Sequence, residues 1–384
     1  IFGTNFIALK AIPLISTIIS AFLIFKLSKK KFGTWEAILT LIFFLFSYSV
    51  LFNSVLSFGI NIASMLFLFG LYQYYVKNNY LTAGIFFGLA SITKLLSLIP
   101  IAVIFSLIFL RDKNKFLKIL IGFSIIFITI NLLFIILFGF NYINPVYKYH
   151  LLKSFQIDSN FSEYYNIIKL NWIIFALAFV SLFFKGSKLL DFKIISLTYL
   201  IALLISSRIF NYYFIIVIPL LAILSGYYAV RLLKKINKKI ILIPLILFLI
   251  LLIGWDLTAN VSFLHNVGFN EFERGDDIIE FLNLKFDKST PIVGDDSSTP
   301  LIALMDDRII LNNYIDTNSA VFESKLIDIN RLTNDISNQK TIVVLRSNQG
   351  LSAIKEFRDF INTNCNLLSI FNTKLEGEYL IYDC

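Results

Sequence analysis

LTAGIFFGLASITKLLSLIPIAVIFSLIFLR, residues 81–111, is the stretch whose reading decides the fold of this chain. Residues 81–110 carry one charge, Lys94, near their middle. A helix needs about 20 apolar residues to cross a bilayer core. The run is therefore either one over-long helix or two short ones that meet near Lys94. The choice sets the direction of every element downstream.

Further apolar runs lie at 5–25, 36–56, 59–76, 116–138, 171–184, 192–207, 210–230 and 240–258. Basic clusters fall at every second turn of this ladder: Lys26–Lys31, Lys77, Arg111–Lys118, Lys185–Lys193 and Arg231–Lys239. Loops rich in Lys and Arg are the cytoplasmic ones. Two helices in 81–110 keep all five clusters on that side, whereas one helix inverts the last three. The expectation is thus about ten spans with a hairpin tip at Lys94. Lys94, His150, Arg208 and the polar C-terminal third then face outward, in an integral plasma-membrane protein.

Composition supports a membrane class. The chain is 57% hydrophobic, has a mean hydropathy of +0.77 and contains 41 Phe, more apolar surface than a soluble domain hides. The net charge of +9 sits mostly between apolar runs. It reads as topology and contact with anionic headgroups, so no nucleic-acid partner is expected. Cys365 and Cys384 both fall in the external third, and two cysteines leave a disulfide open. The chain opens at Ile1, close to a span and without a signal-peptide pattern, so a preceding segment is expected.

The fold class expected is a polytopic α-helical membrane protein with a C-terminal extracytoplasmic α/β domain. Residues 1–258 form the multi-span domain and 259–384 the soluble one. Strands are expected at Pro291–Gly294, Arg308–Leu311, Thr341–Leu345, Leu367–Phe371 and Tyr379–Tyr382. Helices are expected at Glu271–Phe286, Ala320–Ser337 and Ser352–Asn362. This alternation suggests a mostly parallel sheet.

Three places can carry chemistry. A charge near membrane depth usually has a partner or a task, so Lys94 either holds a lipid phosphate or snorkels to headgroups. The loop Gly139–Lys169 concentrates Lys148, Tyr149, His150, Lys153, Asp158 and Glu163 between two spans, and long loops tend to be functional. His150 can hold a proton or a metal. Asn160-Phe161-Ser162 and Asn260-Val261-Ser262 match the glycosylation pattern. The third place is Ser206–Tyr213, where Arg208 is suited to bidentate phosphate binding. The acidic pairs Asp276-Asp277, Asp295-Asp296 and Asp306-Asp307 read either as solvated turns or, for Asp295-Asp296 after a strand, as a binding loop. No P-loop, dinucleotide fingerprint, HExxH or CxxC appears. No cofactor is specified, and a divalent metal is left open.

The run LTAGIFFGLASITK, Leu81–Lys94, resembles the "aGl..Gla..tK" segment of polytopic GT-C glycosyltransferases of the family-39 type. That type includes protein O-mannosyltransferases and lipid A aminoarabinose transferases. Arg208 followed by Tyr212 and Pro219 resembles the later "R/K…Y…P" segment of the group. Tyr149-His150 with Asp158 and Asn160-Phe161-Ser162 is similar to a stretch of GPI mannosyltransferases. The resemblance implies transfer of a sugar from a polyprenyl-phosphate donor to an acceptor hydroxyl of a protein, glycan or lipid. It places Lys94 and Arg208 on the donor phosphate, with Tyr149, His150, Lys153, Asp158, Asn160 and Tyr212 around the substrate. The family's catalytic Asp belongs to a first external loop that would precede Ile1. Asp158 and Glu163 are the substitutes this sequence offers, and if neither serves the chain alone is expected to be inactive.

Two other classes compete. A transporter or flippase of lipid-linked saccharide needs acidic residues mid-membrane, whereas Glu36 and Asp191 lie at span ends. A non-catalytic anchor for the external domain would not need Lys94, Arg208 and the His150 loop on one face.

Overall fold

The computed structural model describes residues 6–55, 59–148, 157–184, 189–206, 209–235, 254–255, 258, 261, 274–318, 321–322, 324–347, 350–373 and 377–384. The described residues divide into two compact units. One lies within Ile1–Gly139 and Phe155–Leu264, the other within Phe140–Ser154 and His265–Cys384.

The first unit is helical. Its α-helices are α1 (Phe6–Lys31), α2 (Thr34–Leu45), α3 (Tyr48–Asn53), α4 (Ile60–Tyr72), α5 (Tyr80–Thr93), α6 (Leu98–Arg111), α7 (Lys113–Phe138), α8 (Ile157–Leu170), α9 (Trp172–Leu182), α10 (Leu190–Leu204) and α11 (Ile218–Lys235). Local chemistry sets their ends. Asn78 takes a left-handed conformation after α4 and its π-turn, and the Asn79 side chain then accepts the Thr82 amide to start α5. Asp112 caps α7 through the Asn114 and Lys115 amides, and Gly139 at φ 69° ends it.

Residues 81–110 break at Lys94. Ser91 and Thr93 bond back to the carbonyls of Phe87 and Leu89, which weakens the helix there. Lys94 is extended (φ −153°, ψ 115°), a 3-10 turn covers Leu95–Ser97, and Pro100 sits in the first turn of α6 where no amide is needed. A Cβ on Gly84 would lie 2.0 Å from Ile119 O and one on Gly88 3.0 Å from Phe123 O, while one on Gly122 would lie 2.2 Å from Leu81 O. This rising register makes α5 and α7 parallel and nearly in backbone contact, a packing only small residues permit. The chain between them therefore doubles back. The glycines of the Leu81–Lys94 motif thus have a packing role.

The expected spans are less uniform than the ladder implied. Residues 36–56 are not one helix: Ser47, whose hydroxyl accepts the Val50 amide, starts α3 after α2 has ended. Residues 210–230 begin as a 3-10 turn, Asn211–Ile216. Among the described residues, two helices are long and apolar enough to cross a membrane, Lys10–Lys31 and Lys113–Phe138. A third candidate is the pair α8–α9, bent by 97°. Asn171 holds that bend, accepting from Ser49 N at 3.1 Å and donating to Ser49 Oγ at 2.9 Å. The run 240–258 falls almost wholly outside the described residues.

The basic clusters share one end of this unit. Arg111 Nη1 and Nη2 bond Asp191 at 2.9 and 2.5 Å, and the Tyr75 hydroxyl donates to the same carboxylate at 2.7 Å. Lys31 Nζ lies 3.5 Å from the centre of the Tyr75 ring. Lys193 caps the end of α9 through Leu182 O and Phe184 O, and Lys234 pairs with Glu36 at 3.1 Å. Four helices, α1, α6, α10 and α11, thus bring their basic ends together.

The second unit is a three-layer α/β/α domain. Its helices are α12 (Gly275–Lys285), α13 (Thr299–Asp306), α14 (Ile329–Ser337) and α15 (Lys355–Asn364), and its strands are β1 (Ile292–Gly294), β2 (Ile342–Arg346), β3 (Asn366–Asn372) and β4 (Glu378–Asp383). The sheet order is β1-β2-β4-β3. Ile342 and Val344 pack on one face with α12 and α13, and Val343 and Leu345 on the other with α14 and α15. Among the described residues only β1–β2 and an isolated Ile292–Ile310 bridge are parallel, which corrects the expected mostly parallel sheet. β3 and β4 are joined by residues 373–377, too few for a crossover, and so pair antiparallel. Arg308–Leu311 contributes that single bridge instead of a strand. Helix α13 was not anticipated, and α14 starts only where Asp328 accepts the Asn330 amide. Cys365 and Cys384 are disulfide-bonded and tie the end of β4 to the start of β3.

Candidate functional site

The end of the first unit opposite the basic clusters carries the candidate site. Lys115, at the basic end, sits over Tyr80 where α5 begins. The 14 residues of α5 place Lys94 about 21 Å further along. Helix α10 likewise carries Asp191 in its first turn and ends at Leu204, so the segment that follows belongs to the Lys94 end.

Lys94 Nζ lies 5.7 Å from the centre of the Tyr212 ring, within cation–π range. Tyr212 stacks on Phe210 at 5.4 Å and meets Tyr213 edge-on at 4.8 Å. The 3-10 turn beneath is fixed by buried polar groups of the helices around it. Tyr199 on α10 donates to Tyr213 O at 2.9 Å, and Ser64 on α4 to Ile215 O at 3.0 Å.

Asn160 fixes the other side of the same segment. It is fully buried on α8. Its Nδ2 donates to Ser206 O at 2.7 Å and its Oδ1 accepts from Ile209 N at 2.9 Å. Tyr164, one turn on, donates to Leu200 O and packs edge-on against Phe214. Asn160 is therefore a positioning residue for the backbone on both sides of Ser207-Arg208. Burial also closes its glycosylation pattern, which needs an exposed amide.

The structure thus brings Lys94 to Tyr212, and Asn160 to the backbone of Ser206 and Ile209 just before Tyr212 in sequence. Glu163 is half-buried on α8, within electrostatic reach of Tyr48. Asp158 begins the same helix. Tyr149, His150, Lys153 and Arg208 lie outside the described residues. The residues that sequence reasoning missed are Ser64, Tyr199 and Asn171, and the signal for each was a polar side chain inside an apolar run. Among the described residues, no group of three His, Cys, Asp or Glu side chains could hold a metal ion. Glu36 and Asp191, the carboxylates closest to a transporter's needs, are engaged by Lys234 and Arg111 at helix ends.

A basic side chain over an aromatic face, beside a pinned segment that carries an arginine, suits an oxyanion attached to an apolar chain. The cation supplies charge, the aromatic rings supply apolar contact, and a backbone fixed before binding lowers the cost of ordering.

No protein-family model and no curated relative matches the sequence. Solved structures do. The chain is similar to ArnT from Cupriavidus metallidurans bound to undecaprenyl phosphate, with a TM-score of 0.60 at 12% identity over 97% of this chain and 83% of that one. The apo state of the same protein gives 0.62, again at 12% identity and over the same shares. The chain therefore shares the fold of ArnT at low sequence identity.

Proposed function

We propose that this protein is an integral-membrane glycosyltransferase that moves a sugar from a polyprenyl-phosphate donor to an acceptor hydroxyl on the extracytoplasmic side. The observation that carries the reading is Lys94, placed at a helix break over Tyr212 and beside the segment that Asn160 pins, in a fold shared with a protein crystallised on undecaprenyl phosphate.

In this reading Lys94 and Arg208 hold the donor phosphate. The acceptor oxygen forms a bond to C1 of the sugar, and the C1–O bond to phosphate breaks with its electron pair leaving on the phosphate. Fixed positive charge where that negative charge develops lowers the barrier. Tyr212 holds Lys94 in place and contacts the first isoprene carbons. The hydroxyl proton leaves to a carboxylate, for which Glu163 and Asp158 on α8 are the proposed groups. Tyr149, His150 and Lys153 are proposed to contact the acceptor, be it protein, glycan or lipid.

The disulfide of the second unit supports its extracytoplasmic placement, because such bonds persist in oxidising compartments. The basic helix ends are then cytoplasmic.

The test is binding and transfer by the full chain in lipid nanodiscs, with radiolabelled undecaprenyl-phosphate sugar. Lys94→Ala and Arg208→Ala should each weaken donor binding about tenfold or more, the scale of a lost charged hydrogen bond. Unchanged binding and transfer in both variants would reject the assigned role.

A further inference from the structure

The second unit has a feature that glycosyl transfer at Lys94 does not use. Ile292 of β1 is bridged in parallel by Ile342 on one side and by Ile310 on the other. The chain leaves β1 for the Ile310 side through α13, on one face of the sheet, and reaches β2 through α14, on the opposite face. The carboxyl end of β1 is therefore a switch point, the place where open α/β sheets form a ligand crevice.

The residues at that point are Asp295 and Asp296 after β1, Arg346 at the end of β2, and Gly350 beyond it. Asp295 is 1% exposed. Its Oδ2 accepts from Ser297 Oγ at 2.5 Å, Ser298 Oγ at 3.0 Å and both of their amides at 3.3 Å. Its Oδ1 is buried with no hydrogen-bond partner. Arg346 Nε lies 3.3 Å from Asp295 Oδ2, yet off the line of a hydrogen bond, so this donor is also buried and unpartnered. An orphaned acceptor and an orphaned donor thus stand side by side.

Gly350, which has no side chain to cover them, stands close beside them. A Cβ on Gly350 would lie 3.0 Å from Asp295 Oδ1 and 3.9 Å from Asp296 Oδ1, and among the described residues no other heavy atom beyond its chain neighbours comes within 4 Å. Both carboxylate oxygens face that point. Burial, then the charges of Asp295 and Asp316, push the Asp296 carboxyl up to about 6.

We propose that the carboxyl ends of β1 and β2 form a second binding site, which takes a saccharide through hydroxyls placed between Asp295, Asp296 and Arg346. A hydroxyl both donates and accepts, so it satisfies Asp295 Oδ1 and Arg346 Nε together. Neighbouring hydroxyls on one sugar ring reach both carboxylates. A phosphate or carboxylate ligand would meet Asp295, Asp296 and Asp316. A metal ion would meet Arg346, and no metal-binding group of three exists among the described residues. The site belongs to the second unit and does not rest on the glycosyl-transfer reading.

The test is retention of the full chain, in lipid nanodiscs free of sugar detergent, on a printed array of neutral oligosaccharides. Wild type and Lys94→Ala should be retained equally. Asp295→Asn, and the less buried Asp296→Asn, should each lose about tenfold or more. Thermal unfolding of both variants identifies a loss caused by misfolding, and Asp296→Asn keeps the test valid if Asp295→Asn unfolds. Three results overturn the proposal: no oligosaccharide retains the wild type, retention is unchanged in both variants, or the site takes up radioactive calcium in an Asp295-dependent way. A high-resolution structure with only a water between Asp295 and Arg346 in the presence of a retained glycan overturns it too.

Discussion

The Asn160 side chain accepts the Ile209 amide at 2.9 Å, across 49 residues of sequence, while its own amide group donates to Ser206 O at 2.7 Å. One buried side chain therefore fixes the backbone on both sides of Ser207-Arg208. The Asn160→Ala variant leaves two backbone groups without partners and should cost about 2 kcal/mol or more. It should also weaken undecaprenyl-phosphate binding. A fall in thermal stability with unchanged affinity would limit Asn160 to packing.

Tyr212 offers its ring to Lys94. Cation–π contacts contribute about 0.5–2 kcal/mol, so Tyr212→Leu should lower affinity for undecaprenyl phosphate by roughly 3- to 10-fold. Tyr212→Phe keeps the ring and should keep the affinity. Titration of the full chain with the lipid, at low and high salt, separates the two. Equal losses in both variants would assign the effect to the hydroxyl.

Helices α5 and α7 touch through glycine. Since a Cβ at Gly84 would lie 2.0 Å from Ile119 O, Gly84→Leu must force the helices apart. Overpacking of this kind costs about 3 kcal/mol. Ile136→Ala, on the exposed face of α7, should change little. Thermal unfolding in nanodiscs measures both, and an unaltered Gly84→Leu would disprove the close packing.

Arg111 and Asp191 form a bidentate pair whose carboxylate is 7% exposed. Arg111→Met leaves that charge buried, at a cost of about 3–5 kcal/mol. Adding Asp191→Leu should recover most of the loss, because no charge then remains to be solvated. Melting temperatures of the single and double variants decide it, and a double variant no better than the single would argue against burial as the cause.

Asp296 gives the second unit a pH dependence of defined sign. Its folded carboxyl titrates near 6, above the unfolded value near 3.9, so the folded state binds the proton more tightly. Its contribution therefore makes the unit more stable as pH falls through about 6 toward 4. It opposes Asp306, whose carboxyl burial raises but Asn283, Arg308 and Lys288 hold low on balance. That group's stabilisation is present above about 3.9 and is lost below it. Asp296→Asn should flatten the upper limb and, with solvent screening allowed for, add on the order of 1 kcal/mol at neutral pH. Stability against pH from 4 to 8 checks this, and an unchanged slope would remove Asp296 as its source.

Much of the site's placement was legible in one dimension. Five Lys/Arg clusters at alternate turns required the 81–110 run to break, and the break falls at Lys94 because Ser91 and Thr93 weaken α5 just before it. Phe210, Tyr212 and Tyr213, which follow α10, lie at the same end. The sheet was less legible. Strand positions followed from apolar runs, but parallel or antiparallel pairing depends on how far the chain travels between strands. Residues 373–377 form a short return, whereas β1 and β2 are separated by two helices.

The sequence by itself determined which turns between apolar runs carry basic charge, and that Lys94 interrupts an apolar run. These depend on neighbours within one or two turns and on the price of burying charge. Only the tertiary structure decided that Asn160 is a clamp, that Gly84 and Gly122 face a neighbouring backbone, that Cys365 bonds Cys384, and that Asp295 Oδ1 and Arg346 Nε lack hydrogen-bond partners at a switch point. Those facts require atoms distant along the chain to meet in three dimensions, and no local pattern records which distant polar groups will satisfy one another.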